Sequence, residues 1–170
     1  SFRGGKQYTT WFRIEFDRPF TAFGTWDRDG GIPGGRHSVG TQWDVANGAW
    51  LSFDLGDARS VTATSAISHV DAEGARRNID AEGKRDGKLL GFDAMREMAQ
   101  AAWRKELASV RIGGASPDDR VVFYTALYHA FLQPMTGSDA DGRYRGYDEA
   151  IHIAVGWTYH EYFSLWDTYR

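Results

Sequence analysis

The sequence predicts a mixed fold in which β-structure occupies residues 1–70 and helices follow from residue 91. Three observations carry that reading. Apolar residues alternate with polar ones over Tyr8–Phe16, turn-forming Gly, Asn and Asp recur at short intervals up to residue 60, and apolar residues recur at steps of three and four after Phe92. Five or so strands without an intervening helix suggest a β-sandwich, or the tail of one.

Each element has its own local signal. In YTTWFRIEF, Tyr8, Phe12, Ile14 and Phe16 fall on one side and Arg13 and Glu15 on the other, the period of a half-buried strand. DRDGGIPGG and VANG supply turns. Ser60–Val70 (SVTATSAISHV) is β-branched and small, which suits a further strand. The 20 glycines are about 12% of the chain against roughly 7% in an average protein, and most sit at turn-like positions.

Between Asp71 and Gly91 the texture changes. DAEGARRNIDAEGKRDGKLLG is charged, interrupted by glycine and free of aromatic residues. It reads as a short helix plus a linker over residues 71–90, with Arg76, Arg77, Lys84 and Arg85 as solvated charges. From Phe92, the residues Met95, Met98, Ala99, Ala102, Trp103 and Leu107 form one apolar helical stripe, which Gly113–Gly114 closes. Ser116, Pro117, Asp118 and Asp119 then present an N-cap, a proline for the first turn and acids for the helix dipole. Val121–Leu132 is apolar nearly all round, which predicts a buried helix stopped by Pro134, with His129 a hydrogen-bonded core histidine. SDADGRYRGYD reads as a turn or hairpin and IHIAV as a short strand. Tyr159–Arg170 returns to helical spacing, with Tyr162, Trp166 and Tyr169 on one face.

Composition narrows the function. The chain has 170 residues, 42% of them hydrophobic, enough for a medium domain or two small ones. Twenty basic against 23 acidic residues leave a net charge of −3, without the basic surplus that binding to nucleic acid requires. The absence of cysteine excludes disulfides, thiol catalysis and cysteine zinc sites. Val121–Ser138 is uncharged and about as long as a membrane span, but Thr125, His129, Gln133, Pro134 and Gly137 fit a buried helix and loop better. Neither terminus has the character of a domain end, so the chain reads as part of a longer one.

Several known patterns fail on one residue. His160–Glu161 opens a zinc-protease signature whose second histidine position holds Ser164, and RHSVG has Arg36 where a nucleophile elbow needs glycine. Gly137–Gly142 with Asp148 resembles a calcium loop, but Gly137 stands at the first ligand position, so an Asp-Gly turn is the better reading. The five histidines show no metal-ligand spacing. Sugar recognition needs an aromatic face for the C–H side of a ring and carboxylates for its hydroxyls. Trp157, Tyr159, Tyr162 and Trp166 beside Glu161, Asp167 and Arg170 hold both within a short stretch. The same residues also suit an aromatic core helix with an Asp167–Arg170 surface pair.

Three blocks in order, FYTALYHAFLQP (Phe123–Pro134), SDADGRYRGYD (Ser138–Asp148) and FSLWDTYR (Phe163–Arg170), resemble glycoside hydrolase family 92, the exo-acting α-mannosidases of bacteria and fungi. Ser60–Val70, the charged helix and AAWRKEL resemble the family's bridge between domains, whereas Gly83–Met95 departs from its aromatic-rich linker. The resemblance implies that residues 1–70 end an N-terminal β-sandwich and that residues 91–170 begin an (α/α)6 catalytic barrel, with the active site between the two domains. It implies an inverting hydrolase of terminal α-mannosides in which Ca2+ holds the sugar. A glutamic acid protonates the leaving oxygen and an aspartate activates water, the two carboxyl groups standing about 6.5–9.5 Å apart. The family's acid, base and calcium ligands come after the WDT block, so none is assigned within this chain. Trp166, Asp167 and Thr168 carry over as part of the wall around the terminal mannose, with Asp167 accepting hydrogen bonds from ring hydroxyls. The GRYRG block braces that site, Arg143 and Arg145 pairing with Asp139 or Asp141. The same resemblance implies a secreted or periplasmic location, mannose-containing glycans as substrates and the rest of the catalytic domain as partner; it implies neither nucleic acid nor a membrane span. Some family members cleave mannose linked through phosphate. The alternative is a non-catalytic carbohydrate-binding β-sandwich module.

Overall fold

The computed structural model describes residues 9–39 and 47–160. The chain divides into two compact units, Glu15–Ala63 on one side and Ser1–Ile14 with Thr64–Arg170 on the other.

Five strands precede the first helix: β1 (Trp11–Phe16), β2 (Ala22–Asp27), β3 (Gly30–Pro33), β4 (Gly48–Ser52) and β5 (Ala63–Ser68). Strands β1 and β5, the two segments with the clearest strand patterns, pair with each other, while β2 lies between β3 and β4 in a three-stranded antiparallel sheet. Within that sheet glycine faces tryptophan twice across the β2–β4 ladder, Gly24 opposite Trp50 and Trp26 opposite Gly48. A Cβ at either glycine would stand 2.7 Å from the opposing indole ring. The two glycines therefore seat the rings flat on the neighbouring backbone, an aromatic cover for a strand position that lacks a side chain. Phe53 packs against Phe16 and Phe20, with ring centroids 5.1 and 6.5 Å apart, and Phe20 meets Phe23 edge-on.

The second unit is built around α1 (Ala72–Glu82). Asp71 caps it, its carboxylate accepting the Gly74 N–H at 2.6 Å. One face is polar and ion-paired, Arg76 to Glu73 and Asp80, and Lys84 to Asp80. The other is the most buried surface of the described chain: Ala75 is 0% and Ile79 1% exposed, and Val70, just before the helix, is buried as well. The segment read as helix plus linker thus carries a core of its own, and the helix leads into a small hairpin, β6 (Lys84–Arg85) and β7 (Lys88–Leu89). Its loop, Asp86–Gly87, has positive φ at both residues, the pairing that matches the twist of a two-residue hairpin.

Helix α2 (Phe92–Leu107) coincides with the predicted apolar stripe, and α3 (Pro117–Ala130) begins at the predicted cap. Ser116 accepts from the Asp119 N–H at 3.1 Å, and Asp119 reaches back to the Ser116 N–H, a reciprocal capping box. Two expectations need correction. Helix α3 ends at Ala130, before Pro134, and it is not buried: Val121 and Val122 are 66% and 69% exposed, and His129 is exposed too. An all-round apolar helix needs partners on several sides, and among the described elements α3 meets chiefly α2, with Trp103 edge-on to Tyr128 at 4.5 Å. SDADGRYRGYD, read as a turn or hairpin, contributes β8 (Arg143–Arg145), and it pairs antiparallel with β9 (Ile151–Ile153) from IHIAV, the block read as a short strand. No helix of the described residues is long and apolar enough to cross a membrane.

Candidate functional site

Trp166, Asp167 and Thr168, with the helical pattern of Tyr162, Trp166 and Tyr169, lie outside the described residues. So do Glu161 and Arg170. The structure does describe the second block and the approach to the third.

Asp139 is the second residue of that block. It is 7% exposed, and both carboxylate oxygens accept: Oδ2 from the Ser68 hydroxyl at 2.7 Å, Oδ1 from Asn78 Nδ2 at 2.9 Å. Ser68 lies at the end of β5 and is 2% exposed; its oxygen accepts the N–H groups of Val70 and Asp71 at 2.9 and 3.3 Å. With both lone pairs engaged, the hydroxyl proton is directed to Asp139. Asn78, on α1, donates also to the Ile67 carbonyl and accepts the Ala140 N–H at 2.8 Å. Gly74 makes room for this network, since a Cβ there would sit 2.2 Å from Asp139 Oδ2 and 2.6 Å from the Ser68 oxygen.

A second layer surrounds it. Arg143 donates to Asp71 at 2.7 and 3.3 Å and to Asp141 at 2.8 Å, while Arg77 reaches Asp141 at 2.6 Å. Hydrogen bonds from Arg143 and from the Gly74 N–H hold the Asp71 carboxyl below the usual aspartate value. Burial works to raise Asp141, but hydrogen bonds from Arg143 and Arg77 outweigh it and the carboxyl is lowered. Arg143 is driven further upward by Asp71 and then Asp141. Of the predicted arginine–aspartate pairs, Arg143 with Asp141 is present. Arg145 donates to the backbone carbonyls of His69 and Glu149, because the β8 register directs it to the chain after β5. Asp139 is held by neutral donors. Arg77, read as a solvated linker charge, is an ion-pair partner of the hairpin.

The aromatic inventory is partly spent on itself. Tyr144 stacks on Tyr159 at 3.9 Å and 15°, and Trp157 meets Tyr144 edge-on at 5.6 Å. One face of Tyr159 is thus unavailable to a sugar. His152 Nε2 lies 3.0 Å from both Asp148 oxygens, and that contact, with the Ala150 N–H, lowers the Asp148 carboxyl. An open depression between α2 and the chain after α3 is lined by Trp103, Glu106, Phe131 and Pro134, among others, and Glu106 is the one acid in its lining; inverting hydrolysis needs a facing pair. No three His, Asp or Glu side chains among the described residues converge on a position that could hold a metal ion. The calcium-like loop fails for a physical reason: Asp139, Asp141 and Asp148 each spend their oxygens on donors within the protein. The described residues do not fit a Ca2+ site.

The polar network joins residues 61 to 76 positions apart and escaped sequence reasoning, apart from the Arg143–Asp141 pair. No local period marks such partners.

The model of the glycosyl hydrolase family 92 catalytic domain matches residues 74–170. Among solved structures, the family 92 α-mannosidase BT3965 from Bacteroides thetaiotaomicron is similar at 32% identity and a TM-score of 0.78, over 96% of this chain and 22% of its own. It is matched equally well in its complex with mannoimidazole. The family 92 glycosyl hydrolase ccman5 shows 29% identity and a TM-score of 0.75 over 94% of this chain and 20% of its own. The inverting mannosidase BT2199 from Bacteroides thetaiotaomicron VPI-5482 shares the fold at 22% identity and a TM-score of 0.74 over 96% of this chain and 21% of its own. No curated protein matches. The chain spans about a fifth of the length of these structures, and its mixed β and helical content is that of the part it covers. With the catalytic-domain model matching more than half of its residues, the chain belongs to glycosyl hydrolase family 92.

Proposed function

We propose that this chain is part of an inverting, exo-acting α-mannosidase that hydrolyses terminal α-mannosides of glycans. The match of residues 74–170 to the family's catalytic domain carries the reading, and the likeness to an α-mannosidase seen with mannoimidazole supports a mannose-type ligand. The β-strands before α1 belong to the end of the N-terminal sandwich, and α2 and α3 to the start of the (α/α)6 barrel. The exposed apolar surface of α3 supports that placement, because helices of a barrel bury such surface against one another.

The acid, the base and the calcium ligands lie outside this chain in this reading. What the chain contributes is a wall. Trp166 offers the ring face for the apolar side of mannose, Asp167 accepts from its hydroxyls, and Thr168 completes the edge. The enzyme acts in the periplasm or outside the cell. Cleavage of mannose linked through phosphate is a variant of this reading. The carbohydrate-binding module is disfavoured, since the family model matches a catalytic domain.

The test uses the longer parent protein, assayed on α-linked mannobioses and a mannosyl phosphodiester with and without a calcium chelator. Hydrolysis with inversion, lost on chelation and restored by calcium, is expected. Full activity after complete calcium removal overturns the calcium dependence, and no activity on any α-mannoside overturns the reading. In the same protein Asp167→Ala lowers kcat/KM by at least ~10-fold with little change in melting, since each lost hydrogen bond to a buried hydroxyl costs about 1–3 kcal/mol. An early-melting variant of normal specific activity makes Asp167 a structural partner instead.

A further inference from the structure

Asp139 caps no helix, yet among the described residues it is the one buried carboxylate, 7% exposed, with an internal donor on each oxygen. Its side chain ties three segments that are distant in sequence: the end of β5 through Ser68, α1 through Asn78, and its own turn. The turn is closed by backbone bonds, Asp139 N–H to the Arg143 carbonyl at 2.8 Å and Gly142 N–H to the Asp139 carbonyl at 2.9 Å. Two residues earlier, Gly137 N–H donates to the Tyr159 carbonyl at 2.9 Å, and Thr136 bridges His160. On the other flank, Ala154 N–H donates to the Gly142 carbonyl at 2.9 Å. The anchored turn therefore holds the backbone at Tyr159–His160, six residues before Trp166.

We infer that Asp139 is a positioning residue for the mannoside site: its buried carboxylate locks the turn at residues 139–142 onto α1 and β5 and so fixes the place from which the chain runs to Trp166 and Asp167. This rests on the proposed role of those two residues. The demand on Asp139 is for an acceptor at both oxygens. Ser68 has no lone pair left, so an amide in place of the carboxylate would set an N–H against the Ser68 oxygen or the Asn78 amide. The two side chains differ little in volume, so Asp139→Asn isolates that hydrogen-bond demand. Small displacements matter in such a site, where a shift of about 1 Å costs up to ~100-fold in rate.

The experiment uses the full-length parent enzyme carrying Asp139→Asn, with Asn78→Ala as the second variant should the first fail to fold. Three readouts are taken well below the melting temperature: kcat/KM on an aryl α-mannoside, affinity for mannoimidazole, and hydrogen exchange at the Gly137 amide. The expected result is a loss of at least ~10-fold in kcat/KM, a parallel loss in mannoimidazole affinity, and faster exchange at Gly137. A merely structural carboxylate lowers the melting temperature and leaves the first two within about 2-fold of wild type, which overturns the inference. Unchanged exchange at Gly137 overturns the clamp itself. A wild-type parent that cleaves no α-mannoside overturns the functional reading instead, and the exchange result still decides the clamp.

Discussion

Helices α1 and α3 are 11 and 14 residues long, and their sequences promise the opposite of what they do. The charged, glycine-bearing α1 covers the tightest core of the described chain, whereas α3, apolar nearly all round, buries no residue fully. The difference lies in partners. Helix α1 finds the end of β5 and the turn at residues 139–142, and its Asn78 donates to the Ile67 carbonyl and to Asp139 and accepts from the Ala140 N–H. Helix α3 finds α2 on one side. Apolar composition sets how much surface a helix can bury; the surrounding chain sets how much it does.

Trimming one apolar side chain on each helix sharpens that contrast. In the parent enzyme, Ile79→Ala opens a cavity under α1 and is expected to cost about 2–5 kcal/mol in a urea melt. Val122→Ala distinguishes two states of α3. If the remainder of the barrel covers that face, the cost is about 1–3 kcal/mol; a cost within ~0.5 kcal/mol, as at an exposed position, breaks the barrel placement.

Gly74→Ala comes next. Alanine favours a helix over glycine by about 1 kcal/mol, so propensity predicts stabilisation. The clash of its Cβ with Asp139 and Ser68 opposes it, and the Ser68 oxygen is fixed by bonds to Asp139, Val70 and Asp71. Overpacking of this kind costs about 1–3 kcal/mol, and the expected net is destabilisation. A variant that melts at or above wild type would show that the network yields readily, and would weaken the contrast between α1 and α3.

How legible all this was in the sequence depends on the range of each interaction. The alternation in β1, the β-branched run of β5, the stripe of α2 and the cap of α3 are set by neighbours within a few positions, and all four appear where their patterns place them. The hairpin loop Asp86–Gly87 carried an equally local signal, submerged in a charged stretch that reads as linker. Ser68, Asn78 and Asp139 are ordinary polar residues whose partnership exists only once β5, α1 and the hairpin are assembled, so no window of the sequence contains it. For the proposed mannoside wall, Trp166, Asp167 and Thr168 come from the resemblance of the FSLWDTYR block alone and lie outside the described residues, which end in the Tyr144–Tyr159 stack and the bridge at His160.

Acid offers the gentlest perturbation, because it weakens the outer ion pairs before any packing is touched. Asp71 and Asp141 titrate below their ordinary values in the folded protein, each hydrogen-bonded to Arg143. A depressed folded value means that the unfolded chain binds protons first as pH falls. The stabilisation is thus complete above the unfolded value of about 3.9 and is lost as pH drops through the lower folded values. The melting temperature of the parent enzyme should therefore show no pH dependence from this pair between about pH 5 and 8 and a decline below about pH 4. Arg143→Ala removes the cause of the depression, so its acid decline should be shallower than that of wild type, on top of a lower plateau. Parallel declines in the two proteins would mean that Arg143 lowers neither carboxyl.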